Sequence, residues 1–349
     1  MKLLLLLLSA VVLVNCGSGS SSNDNTDDSD NSNDSAGEYN IDYDSRGNFD
    51  SAFFSNDLTE ETRVSCTLTD GTVTTCYQLT FNANGVGSTE GTGTVGPFCP
   101  ANVSTPRSDS GFVIYDGSTN PGFQLILDAV NHMEADGYDI IDANGNINTD
   151  GQAGPACLAL PFTNNLSVTY RLPVVPQMAA EPAELAQIES IGFGLYGVPY
   201  KANPPSVIDR DGRIPSLDHC GGHSDPAGYY HWHFIPQSMN LVLNSQEYNF
   251  TATDGIECQN SYIVDTSLNQ PNPSAFAGLA KDGYPIYGAL DSSATGDSEP
   301  EDLDACNGHE HATDEFPDSV YHYHAFREEA PNHPTCLSGL FVENDWDVE

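Results

Sequence analysis

The tetrapeptide Tyr230-His231-Trp232-His233 returns ninety-one residues later as Tyr321-His322-Tyr323-His324, so four of the ten histidines of this 349-residue chain sit in two near-copies of one motif. In an extended strand, side chains at i and i+2 leave the same face, roughly 6–7 Å apart along the backbone. His231 and His233 then point one way with Tyr230 and Trp232 opposite, and His322 and His324 repeat the arrangement against Tyr321 and Tyr323. Two imidazoles converging from one strand begin a His-rich metal site, and a third ligand completes a three-His face with an open position. Each motif has such a third ring upstream, His223 or His309, in a Gly-His turn close to a cysteine. Asp218 and Asp304 precede those rings by five residues and are placed to orient a ligand through its second ring nitrogen. The bland alternative is a surface histidine, or one bonded to a buried carboxylate. A lone His-x-His pair carries little weight against it, but two copies that keep Asp, Cys, Gly-His and Tyr-His-aromatic-His in order favour metal. His219, His311 and His333 have no counterpart in the other copy and read as surface residues. Neutral imidazoles without thiolate suit copper(II) or zinc(II) about equally, and suit calcium or magnesium poorly.

The elements that position these rings belong to an internal repeat. Gly192–Pro199, "GFGLYGVP", matches Gly278–Pro285, "GLAKDGYP", and Leu217–His223, "LDHCGGH", matches Leu303–His309, "LDACNGH", both at an offset of 86. Constant spacing over separate blocks implies two equivalent units, at about 190–260 and 276–340, packed about a pseudo-two-fold axis. Gly and Pro density excludes long helices here, and the two aromatic-rich motifs read as strands. The expected fold is mainly β with few short helices: an internally duplicated, disulfide-stapled domain over 166–349, preceded by a β-rich region over 49–165. In that first region one helix is expected over Phe123–Ala135, from apolar residues at helical spacing, with His132 beside its buried face. Next comes an oxygen-rich run, Asp142, Asn144, Asn146, Asn148 and Asp150. It alternates like a calcium loop, but Ile147 stands where the turn glycine belongs and no closing Glu follows, so an Asn/Gly turn is preferred to calcium.

The chain opens with Lys2 and an apolar run to Val14, too short for a comfortable membrane span, and reaches Cys16. Residues 1–16 read as a lipoprotein-type signal with Cys16 as the lipidated residue, ordinary secretory cleavage being the alternative. Residues 17–48, rich in Ser, Asn and Asp, cannot bury enough surface to offset their ordering entropy and read as a disordered acidic tether. The expected location is the bacterial outer membrane or cell surface, otherwise the periplasm or medium. Fifty acidic against ten basic residues give a formal charge of −40, which makes nucleic acid and anionic lipid poor partners. The only membrane contact expected is through the N-terminal lipid. Eight cysteines follow Cys16, none in a C-x-x-C pair, and an even number in an exported chain argues for disulfides over thiolate ligands. Cys66 and Cys76 flank an Asp-Gly turn and staple a hairpin; Cys99 with Cys157 follows by elimination. Within the repeats, Cys220–Cys258 and Cys306–Cys336 are the expected pairs, with Cys220–Cys306 across the repeat as the competing choice.

The stretches "LDHCGGHSDPAGYYHWH", "KDGYPIYG" and "LDACNGHEHATDEFPDSVYHYHAF" resemble the YHYH family of exported bacterial proteins over roughly residues 165–345, with Trp232 replacing the Tyr of the name motif in the first copy. The resemblance implies export and that these His and Asp are signature positions; it implies no reaction. Three functions compete: capture or buffering of copper or zinc at a cell surface, a metalloenzyme using a three-His site for hydrolysis or redox chemistry, and a metal-free adhesion or scaffold domain. G-x-S-x-G, H-E-x-x-H and P-loop motifs are absent. Asp282 in "KDGYP" is the one general-base candidate, and Tyr196 replaces it in the first copy.

Overall fold

Gly and Pro punctuate the C-terminal half so densely that only short strands fit between them, and eight such strands form one sheet. In chain order they are β1 (Ser190–Gly194), β2 (Pro199–Lys201), β3 (Gly222–Ser224), β4 (Tyr230–Trp232), β5 (Phe276–Ala280), β6 (Pro285–Tyr287), β7 (Gly308–His311) and β8 (Val320–His324). The computed structural model describes residues 40–42, 48–50, 54, 58–82, 92–94, 100–115, 122–148, 161–163, 165–204, 216–245, 256–258, 272–291 and 297–349. The sheet order is β3-β4-β2-β1-β5-β6-β8-β7. Neighbours are antiparallel except β2–β4 and β6–β8, which are parallel. Pro199 and Pro285 each begin a strand, where the missing N–H costs least. At the centre Gly192 pairs with Ala280 and Gly278 with Gly194. A Cβ on Gly192 would stand 2.0 Å from the Leu279 carbonyl oxygen, and one on Gly278 2.1 Å from that of Phe193, so β1 and β5 approach closely only because both positions lack side chains.

Trp232, Tyr230, Tyr200, Tyr323 and Ile286 are almost wholly buried in one apolar core, against which Tyr321 packs partly buried, so three of the four aromatics of the tetrapeptides lie inside. Tyr200 on β2 stacks on Trp232 of the parallel strand β4, ring centroids 5.4 Å apart. Each fully buried ring of this size contributes about 2–3 kcal/mol of transfer free energy. The same core is shared with a four-stranded antiparallel sheet in the order Trp346–Val348, Ser167–Pro173, Val73–Asn82, Leu58–Thr67. Tyr170 of that sheet stacks on Phe193 of β1 at 4.1 Å and donates its hydroxyl to the Gly197 carbonyl at 2.7 Å. Strands from both sides of residue 165 therefore share this second sheet.

The fold is mainly β. Among the described residues there are two short α-helices, Ile126–Ala135 and Met239–Ser245, and three disulfides. No helix among them is long and apolar enough to cross a membrane. The first helix begins three residues later than its periodicity predicts. Phe123 to Leu125 instead pair with Phe112–Ile114 in a hairpin, so tertiary strand pairing overrides local helical spacing. Asn40–Asp42 pairs antiparallel with Asn48–Asp50, across the boundary expected between tether and β-rich region. The signal segment, Cys16 and the rest of 17–48, together with Cys99, Cys157 and Asp150, lie outside the described residues.

Among the described residues the disulfides join Cys66–Cys76, Cys220–Cys258 and Cys306–Cys336, three of the expected pairs, and Cys220 is not joined to Cys306. Such cystines fit an oxidising, extracytoplasmic compartment. In the oxygen-rich loop, Asp142 Oδ1 accepts from the amides of Asn144 and Asn146, at 2.7 and 2.8 Å, and Oδ2 from Asn146 Nδ2 at 2.8 Å. These bonds close an Asx turn around Asp142, the Asn/Gly turn that the sequence favours.

Candidate metal centres

β4 carries His231 and pairs antiparallel with β3 so that His223 lies opposite His231; β8 and β7 place His309 opposite His322 in the same way. His233 follows β4 and is tied back by its amide to the Gly221 carbonyl at 2.8 Å, as His324 is to that of Asn307 at 2.8 Å. The rings gather into two groups. In the first, His231 Nε2 is 3.0 Å from His223 Nε2 and 3.1 Å from His233 Nε2. In the second, His309 Nε2 is 3.0 Å from His322 Nε2 and 3.2 Å from His324 Nε2. Asp291 joins the second group, its Oδ1 3.3 Å from His324 Nε2 and 4.0 Å from His309 Nε2. Around a tetrahedral zinc with Zn–N of about 2.0 Å, ligand nitrogens stand about 3.3 Å apart, close to both sets of spacings.

The tautomers follow from the other ring nitrogens, since a main-chain carbonyl only accepts. Nδ1–H of His223 donates to the Ser216 carbonyl (2.9 Å) and that of His233 to Ala202 (2.7 Å). His309 donates to Glu301 (2.8 Å), His322 to Val320 (3.0 Å) and His324 to Gly288 (2.8 Å). In a neutral ring with its proton on Nδ1, Nε2 is a bare lone pair. The second group thus brings three imidazole lone pairs and a carboxylate together with no hydrogen between them. Burial also opposes protonation. It holds His233 well below the usual imidazole range, lowers His309, and, with the neighbouring His324, pushes His322 down to about 3. A hole lined by lone pairs that resist protons is complementary to a metal cation.

Asp218 and Asp304 act one step further from the rings than their spacing suggests. Asp218 Oδ1 accepts from the amides of Cys220 (2.9 Å) and Gly222 (3.0 Å), and Asp304 Oδ1 from those of Cys306 (2.9 Å) and Gly308 (3.0 Å). Their second oxygens accept the hydroxyls of Tyr230 and Tyr321. Main-chain carbonyls orient five of the six rings, while the carboxylates fix the turns that carry His223 and His309. Burial pushes Asp218 up to about 6.

Asp282 does not serve as a general base at either triad. It is fully buried beside the aromatic side of β8, where Oδ2 accepts from the Tyr323 hydroxyl (2.5 Å) and the Gly339 amide (3.0 Å), and burial pushes it up to about 6. Tyr323 alternates with His322 and His324 along the strand, so Asp282 lies behind the sheet from them. The surface reading of the unmatched histidines needs correction at His333 and His219, while His311 is exposed as expected. His333 is 2% exposed, its Nδ1–H donated to the Pro334 carbonyl. His219 sits edge-on to Phe112 at 5.1 Å. His311 is exposed but stacks on His309 at 4.3 Å.

Two features escaped the sequence reading. One is Asp291, which the matched spacing does not flag because Pro205 stands at the corresponding offset. The other is a cleft of about 530 Å³ that reaches His322, His324 and Asp291 and is bordered by Tyr287 and Glu315.

No curated protein and no solved structure matches the chain. A family model does, and it covers the first triad and Asp291 but stops short of the second set of rings. Over residues 169–301 the chain matches the family described as YHYH protein, and the matched stretch includes His223, His231 and His233.

Proposed function

We propose that this is an exported, lipid-anchored protein whose YHYH domain is duplicated and holds one transition-metal ion, zinc(II) or copper(II), in each half, for capture or buffering. The observation that carries this reading is the second triad: three Nδ1 protons held by carbonyls, three Nε2 atoms within 3.0–3.2 Å of a neighbour, and Asp291 beside them. His309, His322 and His324 with Asp291 would hold one ion, and His223, His231 and His233 the other. Duplication is supported by the matched registers His223↔His231 and His309↔His322, and by the paired turn contacts of Asp218 and Asp304. Anchoring through Cys16 is supported by the apolar run that precedes it.

Elemental analysis of tag-free protein after incubation with zinc or copper tests the metal reading. Close to two equivalents per chain are expected, falling by one in His231→Ala/His233→Ala and by one in His322→Ala/His324→Ala. Content near zero in the wild type would reject both metal functions and leave the scaffold reading. Cys16→Ala should move the protein from the membrane fraction to the soluble one; unchanged partition removes the anchor.

A second reading, catalysis, is favoured by the cleft that reaches His322, His324 and Asp291, because an ion held there would face an open space as in catalytic rather than closed storage sites. A bound ion would there supply Lewis-acid polarisation or an activated water.

A further inference from the structure

The cleft beside the second triad has a chemical character of its own. Its volume, about 530 Å³, lies within the range of small-molecule sites. Leu195, Phe276 and Leu290 give it apolar walls, while Asp291, Asp314 and Glu315 supply carboxylates, and no Lys or Arg is among its described lining residues. Glu315 is held in place: its Oε2 accepts the Tyr287 hydroxyl at 2.8 Å, and the same hydroxyl meets Thr313 Oγ1 at 2.7 Å. At the inner end, His322 and His324 are 0% and 1% exposed and line the cleft, each with a proton-free Nε2 that meets no hydrogen-bond donor among the described residues. Even with a divalent ion in the triad, three carboxylates leave the cleft one net negative charge. Anionic ligands are therefore repelled, and a cationic group gains at the carboxylates what an alcohol cannot.

We propose that this cleft binds a small primary amine with an apolar body, the body against Phe276, Leu195 and Leu290 and the ammonium on Asp314 and Glu315. The proposal deepens the catalytic reading of the second triad, and rests on it only for what happens after binding; the recognition itself needs no metal.

The test uses three probes that share one ring and differ in charge: benzylamine, benzyl alcohol and benzoate. Binding is measured by calorimetry and by ligand-observed NMR, on metal-loaded and on chelator-stripped full-length protein. Benzylamine should bind at least about tenfold more tightly than benzyl alcohol, because only the ammonium makes a charge-assisted hydrogen bond to the carboxylates, and benzoate should bind most weakly. This order should persist after stripping. Asp314→Asn/Glu315→Gln should bring benzylamine down to the level of the alcohol without changing metal content. Equal binding of benzoate, no detectable binding of any probe, or amine binding that survives the double substitution would overturn the proposal. Amine binding that vanishes on stripping would show a nitrogen bound to the ion, not to the carboxylates, and would overturn it too. If the protein takes up no metal but keeps the amine preference, the metal reading falls and the ligand assignment stands.

Discussion

Replacing His322 with Asn isolates the electrostatic strain that the second triad builds into the empty protein. His322 takes a proton at about 3 in the fold, against about 6.5 in an unfolded chain. Between these values the unfolded state binds more protons than the native state, so the stability that His322 contributes is present above about 6.5 and lost as pH falls. From pH 6.5 to 4 the loss is about 2.5 pK units, or about 3 kcal/mol. Asp218 and Asp282 act in the opposite sense. Their folded values are raised to about 6, so their contribution is present at low pH and lost as pH rises through about 6. The wild-type profile alone therefore mixes cancelling effects. The comparison with His322→Asn removes them, and Asn Nδ2 keeps a donor for the Val320 carbonyl that His322 Nδ1 now serves. Urea unfolding of chelator-stripped protein at pH 7, 6, 5 and 4 should show the variant gaining about 3 kcal/mol on the wild type across the series. A difference that stays constant within about 0.5 kcal/mol would refute the assignment of a buried, proton-resisting ring and with it the argument for a cation hole.

Removal of the Asp282 carboxylate by Asp282→Ala leaves the Tyr323 hydroxyl and the Gly339 and Tyr284 amides without their acceptor, which should cost about 2–4 kcal/mol in denaturant while metal content holds; lost metal at unchanged stability would contradict its structural role. Cys306 and Cys336 close a loop with a separation of 30 residues, so Cys306→Ser/Cys336→Ser should destabilise by about 3–4 kcal/mol and weaken uptake at the second triad first, because the Cys306 turn carries His309; equal weakening at both triads would argue against local anchoring. Gly192→Ala drives a Cβ to 2.0 Å from the Leu279 carbonyl oxygen and should cost about 3 kcal/mol or more, visible as loss of soluble protein or of the cooperative melt. A variant that melts like the wild type would mean that β1 and β5 can part.

Much of the site was legible because it rests on side-chain identity at fixed spacing. His-x-His in a strand dictates a shared face, and the Gly-His turn supplies the third ring, so all six rings could be named from letters alone. What orients them could not. The acceptors of the Nδ1 protons are main-chain carbonyls of Ser216, Ala202, Glu301, Val320 and Gly288, and the identity of those residues carries no trace of the task. That gap is why Asp218 and Asp304 were assigned to the rings when they hold the turns. Asp291 was hidden because one copy has proline there, so the repeat that revealed the histidines concealed the carboxylate. Phe123 to Leu125 fit a helical stripe equally well as a strand edge, and only the partner Phe112–Ile114, remote from local periodicity, decides between them.

Each triad sits on an antiparallel pair whose inner strand, β4 or β8, also pairs in parallel with β2 or β6, and a parallel pair needs a long crossover. Tyr200 meets Trp232, and Ile286 meets Tyr323, only after more than thirty intervening residues have found their path. The cystines Cys220–Cys258 and Cys306–Cys336 tie down the turns on that path. An extended, reduced polypeptide therefore carries no assembled imidazole cluster, and on the metal reading proposed above an ion would be taken up only once the chain has folded and its cystines have closed.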